Sequence, residues 1–196
     1  MFMLSSIRHK RKTNMAIGSK LNSTLRAFIE RQALFFVATA APTGSVNLSP
    51  KGADTLRILS DSHIRWLNLT GSGNETAGHL RKSNRITLMF CAFEGEALIL
   101  RLYGRAKVLH PRDTDWPSAV ASFPPMAGSR QIFDISIDKV QTSCGSGVPF
   151  MAYTADRATT KLVPYYEDLG PAGVTDYWRR KNTHTIDGFQ TGLFED

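Results

Sequence analysis

Cysteine is scarce in this chain, with two among 196 residues, Cys91 and Cys144. Two cysteines so far apart form neither a disulfide framework nor a zinc-ligand set. Long apolar runs are missing as well. The most apolar stretches, "ALFFVATAA" and "ALILRLYG", are strand-length and fall well short of the ~18 residues a membrane span needs. The first residues also lack the apolar core of a secretory signal. Without such a signal, the Asn-x-Ser/Thr triplets at Asn22, Asn47, Asn68 and Asn74 read as chance matches, and the expected compartment is the cytoplasm. The five histidines show no metal-ligand spacing.

Acidic residues are absent before Glu30, while Arg8, Lys10, Arg11 and Lys12 crowd the leader. The formal charge of +7 is therefore uneven, and without those four the body carries about +3. No basic stripe interleaved with aromatics runs through the body, which argues against nucleic acid as a partner. The leader "MFMLSSIRHKRKTN" reads as a basic tail or an overextended start ahead of Met15, in preference to a transit peptide. We expect residues 1–18 to be a disordered leader and residues 19–196 to be one domain. Hydrophobic content of 42% and charged content of 21% suit a soluble globular fold.

The body alternates strand-like runs with tight turns. A helix is expected over 19–32, with Leu21, Leu25, Phe28 and Ile29 on one face and Ser19 as its cap. The runs "ALFFVATAA", "SVNLSPKG", "TLRIL", "HIRWLNLT", "RITLMFCAF", "ALILRLYGRAKVL" and "RQIFDISIDKVQTS" read as strands. A short helix is expected at "GNETAGHLRKS", and helical segments close the chain, with Pro164 marking a kink or a boundary. Tight connections make the neighbours antiparallel, and the crossover helices of a doubly wound sheet are missing. The expected fold is mainly β with peripheral helices: an antiparallel six- to seven-stranded split β-barrel.

One turn stands out, "NLTGSGNETAGHL", residues 68–80. Gly73 and Gly78 have P-loop spacing, but His79 and Leu80 stand where lysine and a hydroxyl belong. Gly71 and Gly73 begin a dinucleotide fingerprint that fails at Thr76. A general anion-binding turn survives these tests. Asn74 or Ser72 would cap the short helix, and Thr70, Ser72 and Thr76 would add hydroxyls. Lys51 would supply charge, with Ser49 and Asn47 on the same face of its strand. Glu75 suits the helix dipole but repels a phosphate, and the plainer alternative is that Asn74 and Glu75 only cap the helix.

The runs "NLSPKG", "NLTGSGNETAGHLRKSNRITLMFCAFEG" and "LILRLYGRAKV" resemble the pyridoxamine 5'-phosphate oxidase-like flavoproteins with their FMN-binding split barrel. "RQIFDISIDKVQTSCGSGVP" and "YWRRKNTHTIDG" are similar to a compact subgroup of that family with no settled substrate. The resemblance spans roughly residues 20–192 and implies FMN as cofactor. It places cofactor contacts on the strand residues Asn47, Ser49 and Lys51. It places further contacts on the turn residues Thr70, Gly71, Ser72, Asn74, Glu75 and Thr76. Glu75 falls where relatives often carry a basic residue, which shifts phosphate neutralisation onto Lys51 and Arg81. The resemblance also implies a homodimer with flavin at the subunit interface, Arg101 and Tyr103 being the partner-side candidates.

The tail "TIDGFQTGLFED" lacks the basic residues with which vitamin-B6 phosphate oxidases close their site, which argues against that activity. The expected function is an FMN-dependent oxidoreductase served by a small-molecule or nicotinamide electron donor. The rival reading is a non-catalytic flavin, deazaflavin or haem module on the same barrel. Trp178 is the aromatic best placed to close over a cofactor. Cys144 reads as a small buried turn residue before it reads as a cleft thiol, and Cys91 as core.

Overall fold

The structure, a computed structural model, describes residues 16–194. The first fifteen residues of the expected leader lie outside that range. Ala16–Gly18, which sequence reading assigns to the leader, form strand β1 and pair antiparallel with a strand far along the chain (Ala16 opposite Thr142).

Seven further strands follow: β2 (Phe35–Ala40), β3 (Val46–Lys51), β4 (Leu56–Ile58), β5 (His63–Leu69), β6 (Arg85–Cys91), β7 (Ile99–Leu109) and β8 (Ser129–Ser143). They pair antiparallel in the order β3-β2-β6-β7-β8-β5-β4, with β1 added on β8. The sheet curls into a half-barrel, and its alternation gives it one buried face. Val37, Leu88, Leu100, Leu102, Phe133 and Ile135 point to one buried face. Burying each such side chain contributes about 1.5–3 kcal/mol.

Helix α1 (Ser23–Glu30) lays Phe28 and Ile29 on this core. Its cap is Asn22 and not Ser19, because the Asn22 side chain accepts the Leu25 N–H at 2.9 Å. The short α2 (Glu75–Leu80) lies against β2, and α3 (Trp116–Val120) covers a second apolar cluster around Leu67 and Ile132. The closing helical segment is a π-helical turn (Ala158–Leu162) leading into α4 (Val163–Lys181). Pro164 marks the boundary between the two, as expected, and sits in the first turn of α4. A second break falls at Gly170 (φ 63°, ψ 172°), a conformation that favours glycine.

Two bulges shape β8. Tyr103 faces Lys139 but Gly104 faces Ile137, so Asp138 is the extra residue. A side chain at Gly104 would strike the Ser136 carbonyl, so the close approach requires glycine. The second bulge lies between the pairs Asn68–Gln131 and Leu69–Ser129, and leaves Arg130 unpaired.

Candidate functional site

β3 delivers its residues as period-2 reading expects. Asn47, Ser49 and Lys51 stand opposite Thr39, Val37 and Phe35, and therefore share the inner face. Asn47 reaches the turn directly. Its amide donates to the Thr76 hydroxyl at 3.2 Å and to the Thr39 hydroxyl at 3.3 Å. The Lys51 ammonium lies over the Trp66 ring, 5.3 Å from its centroid. Among the described residues Lys51 has no carboxylate partner. Burial first, then the nearby Arg130 guanidinium, bring its pKa down to about 8.

Arg130 is the residue that sequence reading missed. It is 2% exposed. The bulge turns its side chain beneath the 68–80 turn, where it donates to the carbonyls of Gly73 (3.1 Å) and Gly71 (3.5 Å). Its Nε has no partner in the structure, and no acid pairs with it among the described residues. Burial lowers its pKa to about 10. Within the run "RQIFDISID" it reads as one polar residue at a strand start, and nothing local reveals a bulge.

The turn is clamped from several sides. The Thr70 backbone N–H and hydroxyl both donate to the Gly128 carbonyl at 2.7 Å. The indole N–H of Trp178 donates to the same hydroxyl at 2.7 Å, and the Tyr166 hydroxyl donates to the Thr70 carbonyl at 3.1 Å. Burial pushes the Tyr166 pKa up to about 12, which keeps it a donor. Trp178 thus braces the turn. The Asn182 amide donates to the Gly71 carbonyl at 2.9 Å.

Asn74 occupies the cap position of α2 without capping it. Its amide donates instead to the Asn182 carbonyl at 3.3 Å. Glu75 turns away from the cleft, and both its oxygens accept the Ile186 N–H at 3.2 Å. Ser72 is exposed, and Ser49 is half-buried on the inner face.

A cleft of about 520 Å³ opens beside the turn. Its barrel wall carries Lys51, Trp66, Asn68, Thr70 and Gly71, and its outer wall carries Arg157, Lys161 and Tyr165. The other cations fall elsewhere. Arg81 shares a separate cavity of about 370 Å³ with Arg112 and Phe194. Arg101 and Tyr103 lie on the outer sheet face, on the row that runs from Met89 and Thr87 to Phe36 and Ala38. Arg101 donates to the Ser143 hydroxyl (3.1 Å) and Tyr103 to the Gln141 side chain (2.7 Å). One chain therefore does not bring these two to Lys51.

Cys91 is buried, as expected, but Cys144 is exposed and not the buried turn residue expected, because the 144–147 turn lies at the surface; its sulfur is 2.8 Å from the Ser146 hydroxyl. Among the described residues no cluster of His, Cys, Asp and Glu could hold a metal ion, and no helix is long and apolar enough to cross a membrane.

Comparison with known proteins bears on this geometry. The family model described as pyridoxamine 5'-phosphate oxidase matches residues 21–144. A pyridoxamine 5'-phosphate oxidase family protein of Aspergillus flavus is 33% identical over 184 residues, which is 86% of this chain and 74% of that protein. Among solved structures, a Lactobacillus delbrueckii protein provisionally named pyridoxamine 5'-phosphate oxidase superposes with a TM-score of 0.52 at 17% identity. It covers 63% of this chain and 94% of its own. HupZ of Group A Streptococcus gives 0.50 at 20% identity, covering 61% and 91%. At those identities the two structures speak to the fold alone.

Proposed function

The chain belongs to the pyridoxamine 5'-phosphate oxidase family, and on that premise we propose that it is an FMN-binding oxidoreductase. The observation that carries the reading is the pair Lys51 and Arg130. Two cations are held largely out of water near one another, with no carboxylate to pair them among the described residues. Burying unpaired charge is costly, and a fold that retains it beside an open cleft is built to receive an anion. A flavin phosphate fits that requirement.

Lys51 would neutralise the phosphate directly. Arg130 would add charge from beneath while it holds the Gly71 and Gly73 carbonyls away from the ligand. Asn47 and Ser49, on the same strand face, would contribute hydrogen bonds. Trp66, Leu67 and Leu69 give the cleft an apolar wall suited to a ring system. When bound, the flavin supplies hydride transfer at its ring, from a nicotinamide or a small-molecule donor. The protein's part is to position that ring, and no side chain of the cleft is assigned as acid or base.

The partner-side residues fit a second copy of the chain. Val46 and Leu48 on the edge strand β3 are 75% and 63% exposed, and Ile17 on β1 is 61% exposed. They share the outer face on which Arg101 and Tyr103 sit. A homodimer through this face would cover that apolar rim and carry Arg101 and Tyr103 toward the other subunit's cleft.

The test is the visible spectrum of the purified protein before and after addition of FMN, with any released chromophore identified by mass. One FMN per subunit and bleaching of the flavin bands on anaerobic reduction are expected. A colourless protein that FMN neither colours nor stabilises against heat overturns the reading.

A further inference from the structure

His79 is the buried titratable group that the proposed function leaves unused. It is 1% exposed, on α2, and packs edge-to-face against Phe189. Its Nδ1 is 3.2 Å from the Thr39 hydroxyl. Thr39 in turn accepts from the Asn47 amide, whose second hydrogen goes to Thr76. Four side chains from β2, β3 and α2 thus form one chain, His79–Thr39–Asn47–Thr76. Thr39 and Thr76 are 4% and 5% exposed.

Hydrogen counting sets its direction. The Asn47 amide nitrogen carries two hydrogens, and both are used. Thr39 and Thr76 are therefore both acceptors toward Asn47. The Thr39 proton has one polar neighbour left, His79 Nδ1. If Nδ1 accepts it, the imidazole is neutral with its hydrogen on Nε2, and that N–H is the one group left over at the His79 end. The other neutral tautomer strands the Thr39 proton as well as the Nε2 lone pair. Each stranded buried group is costly, so the chain settles on the first arrangement. At its far end Thr76 accepts from Asn47, and its own proton is committed to no atom of the protein among the described residues.

We propose that Thr39 and His79 are positioning residues that fix this polarity, so that Asn47 and Thr76 are held as a pair with the Thr76 hydroxyl proton presented to the phosphate of the bound flavin. The inference rests on the flavin reading above. It names a device that adds to the preference for a phosphorylated flavin over riboflavin that Lys51 and Arg130 set. Neither Thr39 nor His79 touches the ligand.

Two measurements test it. The first needs no ligand: the ¹⁵N resonances of the His79 imidazole in the full-length protein. A pyridine-like Nδ1 and a pyrrole-like Nε2 are expected, and a pyrrole-like Nδ1 overturns the polarity. The second compares dissociation constants for FMN and riboflavin. Thr39→Val and His79→Leu are expected to weaken FMN binding roughly tenfold, the loss of one charge-assisted hydrogen bond, and to leave riboflavin binding within about twofold. Thr39→Ser and His79→Gln each keep an acceptor or donor in place and are expected to restore most of the preference. Equal loss for both flavins, or no loss for either, overturns the positioning role while wild-type FMN binding stands. Failure of wild-type protein to bind FMN at all overturns the flavin reading and this inference with it. If Thr39→Val does not fold, Thr39→Ala and His79→Leu carry the same comparison.

Discussion

The carboxylate of Glu75 accepts the backbone N–H of Ile186 with both oxygens, 3.2 Å each. This pairing accounts for an acid in the first turn of α2, beside a candidate phosphate site. The charge is directed at the C-terminal segment and not at the cleft. That segment is also tied by Asn182 to Asn74 and by Asp187 to the Ser45 N–H at 2.7 Å. It forms a strap over α2, and the 68–80 turn is held between the strap on one side and Arg130 on the other. Glu75→Ala should therefore loosen the strap without improving FMN affinity. The measurement is amide exchange across 183–191 together with an FMN titration. Tighter FMN binding by the variant would show that Glu75 faces the phosphate after all.

Lys51 sets a pH dependence. Its pKa in the fold is about 8, below the ordinary lysine value of 10.5. Between these values the unfolded chain binds a proton that the folded chain has released. Stability of the ligand-free protein should therefore rise with pH across about 8 to 10.5, and the cost of the buried charge is present in full below pH 8. An anion restores the ammonium, so FMN affinity should fall as pH rises through 8. Lys51→Met should raise the melting temperature of ligand-free protein by roughly 3–6 °C, or about 1–2 kcal/mol. The same variant should weaken FMN at least tenfold and flatten its pH profile. A profile that keeps its slope in Lys51→Met would assign the titration to another group.

Arg130→Met removes the donors to the Gly71 and Gly73 carbonyls and half of the buried positive charge. The expected result is a stability loss of about 2–4 kcal/mol together with loss of FMN binding. Arg130→Lys should recover charge but not the two-carbonyl grip, since an ammonium lacks the planar fork. Denaturant titration and flavin fluorescence quenching read the two effects separately. Full binding by Arg130→Met would remove Arg130 from the site.

Gly78→Ala tests the strap from beneath. A methyl at Gly78 would collide with the Thr185 side chain and come within 3.3 Å of the Phe189 carbonyl. A loss of about 1–3 kcal/mol is expected, with faster proteolysis beyond Asn182. Unchanged proteolysis would mean the strap is not seated on α2.

Leu48→Glu places a charge in the exposed row of β3, away from the core. On the proposed homodimer, sedimentation should shift from dimer to monomer with the fold intact, and FMN affinity should fall as the proposed contribution of the other subunit's Arg101 and Tyr103 is withdrawn. A wild-type protein that sediments as a monomer would refute the interface.

Much of this protein was readable along the chain. The face shared by Asn47, Ser49 and Lys51 follows from the period of two in a strand. The antiparallel pairs β2–β3, β4–β5 and β6–β7 follow from short turns, and the 68–80 turn is marked by its glycines and hydroxyls. These are local rules, carried by residues a few positions apart. Tertiary structure decided the rest. Arg130 enters the site only because β8 carries one residue more than β5 needs, which re-aims a side chain that alternation would place elsewhere. Glu75 and Trp178 take their roles from partners more than a hundred residues away. Arg101 and Tyr103 are expected at the same cofactor as Lys51 but stand on the opposite face of the sheet. Local periodicity tells which way a side chain points from its own strand. Which carbonyl, carboxylate or cation it then meets depends on how distant segments pack, and that is settled by closing the core.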